Sequence, residues 1–240
     1  MNKKLLALLL AGLLVASVTA CTKPGTGEDT TDSGNTPEEY GIMCEKLSAA
    51  GVDLVQVANS YSIYNGISGL STTIDNVRAA GMEPVGVYKS NAKFEENGGF
   101  TLCEVEGIKI AFVAFTKGVG SLGMPAGSEK CVNILYEDYT TDYKKIDRNE
   151  INAVMRNVAS EEPDITIALV HWGSEYNDAY SATQESIKEL MFANGVDAII
   201  GTHPHYVQKM ELNEDGTFIA YSLGDFISDA DRAGTEYSVV

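Results

Sequence analysis

Residues 165–206 read ITIALVHWGSEYNDAYSATQESIKELMFANGVDAIIGTHPHY, and the fold turns on this stretch. Ile165 to Val170 is a continuous apolar run with β-branched residues, too short for a helix and without the alternation of a half-exposed strand. It reads as a strand buried on both faces. Thr183 to Asn194 carries a helical pattern and is stopped by Gly195. Val196 to Ile200 (VDAII) repeats the buried-strand pattern. Strand, helix and strand of these lengths form a right-handed crossover, which pairs the two strands in parallel beneath helical layers.

The same alternation extends in both directions. Pro37 to Ala50 reads as a helix ended by Gly51, Val52 to Ala58 (VDLVQVA) as a strand, and Ser68 to Ala80 as a helix stopped by Gly81. Leu70, Ile74 and Val77 give that second helix one apolar face. Glu83 to Val87 is a short strand. Phe100 to Glu106 and Ile108 to Phe115 flank Gly107 as an antiparallel pair around a tight turn. Lys145 to Ala159 is a further helix, Phe218 to Ser222 a further strand, and TEYSVV at 235–240 reads as another. The fold class is α/β with a mostly parallel central sheet. In such sheets ligands gather beyond the carboxyl ends of the strands.

The first twenty residues have a different character. Lys3 and Lys4 precede an apolar run from Leu5 to Val15, about half the ~20 residues of a spanning helix, and this reads as an export signal. Val18-Thr19-Ala20-Cys21 resembles a lipobox, which implies that Cys21 is lipidated and that residues 1–20 are removed. The alternative is an ordinary secretory signal with a chance cysteine. Residues 21–37 are Gly-, Pro-, Thr- and Asp/Glu-rich with almost nothing apolar, and read as a flexible tether. The domain then occupies 38–240, enough for one sizeable core. The expected location is the outer face of the cell membrane, or its periplasmic side, with the lipid as the membrane attachment.

The formal charge of the 240-residue chain is −17, and setting aside the two lysines of residues 1–20 takes it to −19. This charge argues against nucleic acid and anionic lipid as partners for want of a basic footprint, while a local cationic site, including bound metal, could still attract a phosphate or carboxylate. Cys44, Cys103 and Cys131 are odd in number and lack short metal-type spacing. They read as buried free thiols, with one bridge among them as the alternative.

All three histidines of the chain stand at strand ends. His171 closes ITIALV, and His203 and His205 follow VDAIIG. If those strands are neighbours, three imidazoles meet at one rim, enough to hold one zinc, manganese or iron ion with a position open. Gly173 and Gly201 would let backbone turn and approach closely, Pro204 would fix the turn between His203 and His205, and Trp172 is expected to pack over the site, with capping of the core as the alternative. The bland alternative is three satisfied structural histidines.

Four strings carry a family resemblance: ALVHWGSEY (168–176), GTHPHYVQKMEL (201–212), IAYSLGDFIS (219–228), and SYSIYNGISGLSTTIDNVRAAGMEPVGVY (60–88). Together they resemble the CapA-type capsule (poly-γ-glutamate) synthesis proteins of the calcineurin-like metallophosphatase superfamily, over about Leu47 to Ser228. The resemblance implies a layered metallophosphoesterase-like domain and two metals acting on phosphate esters through activated water. It implies His171 and His203 on one metal and His205 on the other, beside synthesis or export of an anionic exopolymer.

The sequence departs from that pattern at the metals. Where the family has a ligand asparagine and a histidine, Ser60 and Tyr61 stand here, with Asn59 able to coordinate only through a shift. A phenol of pKa ~10 is a poor proton donor in place of imidazole. The family's opening strand with its Gly-Asp and the following Asn-Leu-Glu-like string have no counterpart before VDLVQVA, so the domain reads as truncated at both edges. Asp225 replaces a usual asparagine, as an added ligand or as a solvated turn residue. The expected metal set is therefore His171, His203, His205, Asn59, Ser60 and Asp225 around one divalent transition-metal ion rather than two. Three readings follow: a metal-dependent hydrolase acting on an envelope exopolymer or its precursor, a non-catalytic relative that binds the polymer or a partner synthase, and a tethered solute-binding lipoprotein.

Overall fold

A computed structural model describes residues 14–16, 37–226, 228 and 231–239. Cys21, the tether to residue 36 and most of the export signal lie outside the described residues. In chain order the elements are β1 (Leu14–Ala16), α1 (Pro37–Ala49), β2 (Val52–Gln56), α2 (Gly66–Ala79), β3 (Glu83–Val85), α3 (Asn91–Asn97) and β4 (Thr101–Val105). There follow β5 (Ile108–Thr116), α4 (Arg148–Ser160), β6 (Ile165–His171), α5 (Ala182–Ala193), β7 (Ala198–Thr202), β8 (Met210–Leu212) and β9 (Phe218–Ala220).

The strands form two sheets. One is three-stranded and parallel, in the order β1-β2-β3, so Leu14–Ala16 of the expected signal run here complete the free edge of β2. The other is six-stranded, in the order β4-β5-β6-β7-β9-β8. Its centre, β5 to β9, is parallel, and the outer pairs β4–β5 and β8–β9 are antiparallel.

Alternation along the central strands decides what each face touches. Ile110, Phe112 and Ala114 of β5, with Ile165, Ile167 and Leu169 of β6, face the three-stranded sheet and join Leu54, Val55 and Val85 in one core. Cys44 of α1 and Leu70, Ile74 and Val77 of α2 close that core from outside. Ala111, Val113 and Phe115 of β5 and Ala168 and Val170 of β6 point the other way, onto Ile151, Val154 and Met155 of α4 and Ile187 and Met191 of α5. The fold is thus layered: helices, a small sheet, a large sheet, helices.

Several boundaries differ from the sequence pattern for identifiable reasons. The helix expected from Lys145 starts at Arg148, because the Asp147 side chain accepts the Glu150 amide and caps it. Periodicity gives no sign of α3, which buries only Phe94 and rests on its Ser90 cap and a left-handed Gly98. TEYSVV does not form a strand among its described residues; it makes a single bridge, Gly224 to Ser238. Cys44, Cys103 and Cys131 are free thiols, with Cys103 only half-buried, and desolvation raises the pKa of all three.

Candidate functional site

Because β5, β6 and β7 run in parallel, their carboxyl ends open on one rim, and the loop after β2 reaches it through Ser60. Asn59 and Ser60 lie three and four residues past β2, Lys117 directly follows β5, His171 ends β6, and His203 follows β7. His171 pairs in register with Thr116 on one side and Thr202 on the other. Alternation places His171 on the same face as Leu169, toward Ser60, and sends Trp172 to the opposite face. Trp172 therefore does not pack over the site. It is fully buried in the helical core, stacked on Tyr221 and donating from Nε1 to the Tyr221 carbonyl at 2.9 Å. Gly201 serves that contact: a Cβ there would lie 2.0 Å from the same carbonyl oxygen. The sharp turn falls to Gly173, at φ +75°.

His171 is wholly enclosed, and both its ring nitrogens are engaged. The Ser60 backbone N–H points at Nε2 at 3.3 Å, with the Ser60 hydroxyl at 3.1 Å from the same atom. A backbone N–H can only donate, so Nε2 is the acceptor and the ring proton sits on Nδ1. Nδ1 then faces Thr202 Oγ1 at 3.5 Å, and Thr202 Oγ1 in turn faces Gln56 Oε1 at 3.5 Å. Burial, then the neighbouring His203, Lys117 and His205, push the His171 pKa well below its ordinary value.

His203 and His205 are held differently. Their backbones take positive φ, 95° and 63°, a region that ordinary residues enter only under constraint. The His203 ring lies 4.4 Å from that of His171 between centroids and 6.5 Å from that of His205. Its Nδ1 is buried and has no hydrogen-bond partner among the described residues. Burial, then Lys117 and His205, lower its pKa to about 3, so the ring is neutral. His205 Nδ1 lies 2.9 Å from both carboxylate oxygens of Asp225. Its ring stacks on Tyr176 at 4.9 Å, and the Arg232 guanidinium lies over that phenol at 4.2 Å. The Tyr176 amide donates to the Pro204 carbonyl at 2.8 Å, which ties the loops after β6 and β7 together.

The three histidines therefore do meet, joined by Ser60 on one flank and Asp225 on the other. Asn59 does not join them. Its Oδ1 accepts the Tyr61 amide at 2.8 Å and its own amide donates to the Ser62 hydroxyl at 2.8 Å, so its side chain closes a local turn. Tyr61 packs edge-on against Tyr64. Among the described residues no group of three or more His, Cys, Asp or Glu side chains is placed to hold an ion. One His171 nitrogen takes the Ser60 amide, Asp225 takes a His205 nitrogen, and no bridging carboxylate stands between the rings among the described residues. These residues do not fit a two-ion centre.

Lys117 is the member of the rim that pattern reading passes over. Its amide donates to the His171 carbonyl at 2.7 Å, and its half-buried ammonium donates to the Gly173 carbonyl at 2.7 Å over the Tyr143 ring. Burial lowers its pKa, with Glu175 acting in the opposite sense. The signal that finds it is the one applied to the histidines: a polar residue directly after a buried strand. Tyr176 and Thr202 carry no such signal, since each acts only through a partner on another loop or strand.

Comparison with known proteins bears on the whole described domain. A family model described as bacterial capsule synthesis protein PGA_cap matches residues 17–230. The chain is 26% identical to "Capsule biosynthesis protein CapA" of Bacillus anthracis over 199 residues, 81% of this chain and 44% of that protein. It is 28% identical to "PGA biosynthesis protein CapA" of Bacillus subtilis strain 168 over 172 residues, 72% of this chain and 41% of that protein. The chain thus spans less than half the length of these curated relatives. Among solved structures, a Staphylococcus aureus protein described as a 5′-nucleotidase superposes with a TM-score of 0.51 at 12% identity, over 77% of this chain and 34% of that one. This likeness is one of fold, the metallophosphoesterase-like α/β arrangement.

Proposed function

The chain belongs to the bacterial capsule synthesis protein PGA_cap family, and from that premise we propose that it serves synthesis of an anionic, poly-γ-glutamate-like capsule polymer at the cell envelope. In this reading it is an exported lipoprotein held to the membrane through Cys21, and its strand-end rim binds the polymer, its precursor or a partner synthase without two-metal hydrolysis. The capsule role is supported by the names of the two Bacillus relatives. Binding without a two-metal centre is favoured by one observation: the Ser60 amide points at His171 Nε2, where a metal ligand's lone pair would be needed. Anchoring is supported by the cationic, apolar and small-residue order of residues 3–21.

The test is a deletion strain complemented with the wild-type chain or with His203→Ala, scored for cell-bound polymer, together with polymer binding and metal content of the purified chain. Polymer restored by wild type only, with binding and no stoichiometric metal, is the expected outcome. Unchanged polymer in the deletion strain, with no polymer binding by the wild-type chain, sinks the proposal.

A second reading has its own observation. The buried Nδ1 of His203 lacks a partner among the described residues, and a buried neutral imidazole nitrogen suits a divalent transition-metal ion (zinc, manganese or iron). A single-ion hydrolase would retain about one transition metal per chain, lost in His203→Ala, and would cleave phosphate esters.

A further inference from the structure

Lys117 stands apart from other lysines of this acidic chain. Lys89, Lys130 and Lys145, for example, each pair with a carboxylate. Lys117 is half-buried, and none of the ion pairs among the described residues includes it. Its ammonium is instead steered by the Gly173 carbonyl and the Tyr143 ring to the rim where β5 and β6 end. An ammonium has three donor hydrogens, and the single Gly173 bond uses one. A fixed positive charge at that place repels a divalent cation and attracts an anion, and its partial removal from water strengthens both effects. On the same rim stand His171, whose carbonyl takes the Lys117 amide, and His203, whose ring lies 4.4 Å from that of His171 and whose Nδ1 has no partner among the described residues.

We propose that Lys117, with His203, forms a metal-independent anion seat at the carboxyl ends of β5, β6 and β7, in which the ammonium supplies the positive charge. The seat takes an oxyanion, a carboxylate or a phosphate group. This deepens the polymer-binding reading and rests on it, because it names the group by which the rim holds its ligand. The charge is built into the chain, so binding needs no ion from solution.

Calorimetric titration of the full chain, with chelator present, tests it. The probes are a short γ-glutamate oligomer and, separately, inorganic phosphate, against wild type, Lys117→Gln and Lys117→Arg. We expect wild type to bind at least one probe, Lys117→Gln to weaken that binding tenfold or more, and Lys117→Arg to retain it within about threefold. The probe bound more tightly tells a carboxylate from a phosphate. In a separate titration without chelator, zinc should bind Lys117→Gln more tightly than wild type, because the repelling charge is gone. Wild type binding neither probe, binding that appears only after metal is added, or equal binding by wild type and Lys117→Gln each overturns the seat. The wild-type chelator comparison decides even if Lys117→Gln fails to fold. Intact capsule-polymer binding that is insensitive to Lys117→Gln removes the seat alone, whereas absence of polymer binding by wild type, with no capsule defect on deletion, removes the reading beneath it.

Discussion

The ends of β6 and β7 are neighbours in one parallel sheet and carry the same residue type, yet they are built in opposite ways. At the end of β6, His171 keeps ordinary strand backbone, is sealed from solvent, and has a partner at each ring nitrogen. At the end of β7, the backbone of His203 and His205 is forced to positive φ around Pro204, and a buried nitrogen of His203 goes unsatisfied among the described residues. The first arrangement is what packing alone produces. The second costs stability, about 1–3 kcal/mol for each strained residue, and persists only where the surroundings impose it. A strand end by itself therefore does not mark a site; the strained and unsatisfied end does. That contrast points to His203, more than His171, as the ligand-facing residue.

Acid should expose the contrast most strongly. His203 has a folded-state pKa of about 3, below the ordinary 6.5, so the unfolded chain binds a proton that the folded chain refuses. Its neutral form supports the fold fully above about pH 6.5, and that support is lost as the pH falls toward 3, with His171 acting in the same direction. The His203 share is on the order of 5 kcal/mol, at about 1.4 kcal/mol for each tenfold change in proton affinity. Urea unfolding of chelated protein between pH 7 and 4 should therefore show a smaller loss for His203→Gln than for wild type. Identical pH dependence would erase the distinction drawn for His203.

Replacing His171 by Ala should destabilise the fold by about 2–3 kcal/mol, because it opens a cavity and strands the Ser60 amide and the Thr202 hydroxyl. Denaturant midpoints at pH 7 would measure this. His203→Gly should do the reverse and stabilise by about 1 kcal/mol, since glycine accepts the positive φ and the orphan nitrogen disappears. The same variant should lose ligand binding. A destabilised His203→Gly would place both strand ends in one class and break the comparison. The smallest effect belongs to Ser60→Ala, about 0.5 kcal/mol in thermal or urea unfolding, because the backbone amide still donates to His171 after the hydroxyl has gone.

The elements are legible where local pattern and burial agree. The seven residues of β6 are all buried, and an apolar run with no alternation announces that directly. α2 shows its face through Leu70, Ile74 and Val77. α3 is not legible, since one buried phenylalanine makes no periodicity, and TEYSVV misleads because β-branched and aromatic residues pattern alike in strands and in extended loops. At the site, position after a strand nominates the histidines, and the family resemblance adds Asp225 and Asn59. Asn59 fails, because its short amide satisfies its own turn before it can reach the rim. Trp172 is misjudged by one step of alternation, a matter of which face His171 takes.

From the sequence alone came the parallel α/β order, the family, the gathering of three imidazoles at strand ends and the export-like N-terminus, because each is written in local periodicity or in residue type at fixed spacing. Tertiary structure alone decided which nitrogens have partners, which backbone is strained, and that an ammonium is held on the Gly173 carbonyl at the same rim. Those facts depend on contacts such as that between Ser60 and His171, 111 residues apart, and on which way a side chain leaves its strand. No spacing rule carries that information, since it exists only once two sheets have packed and one residue's donor has met another's lone pair.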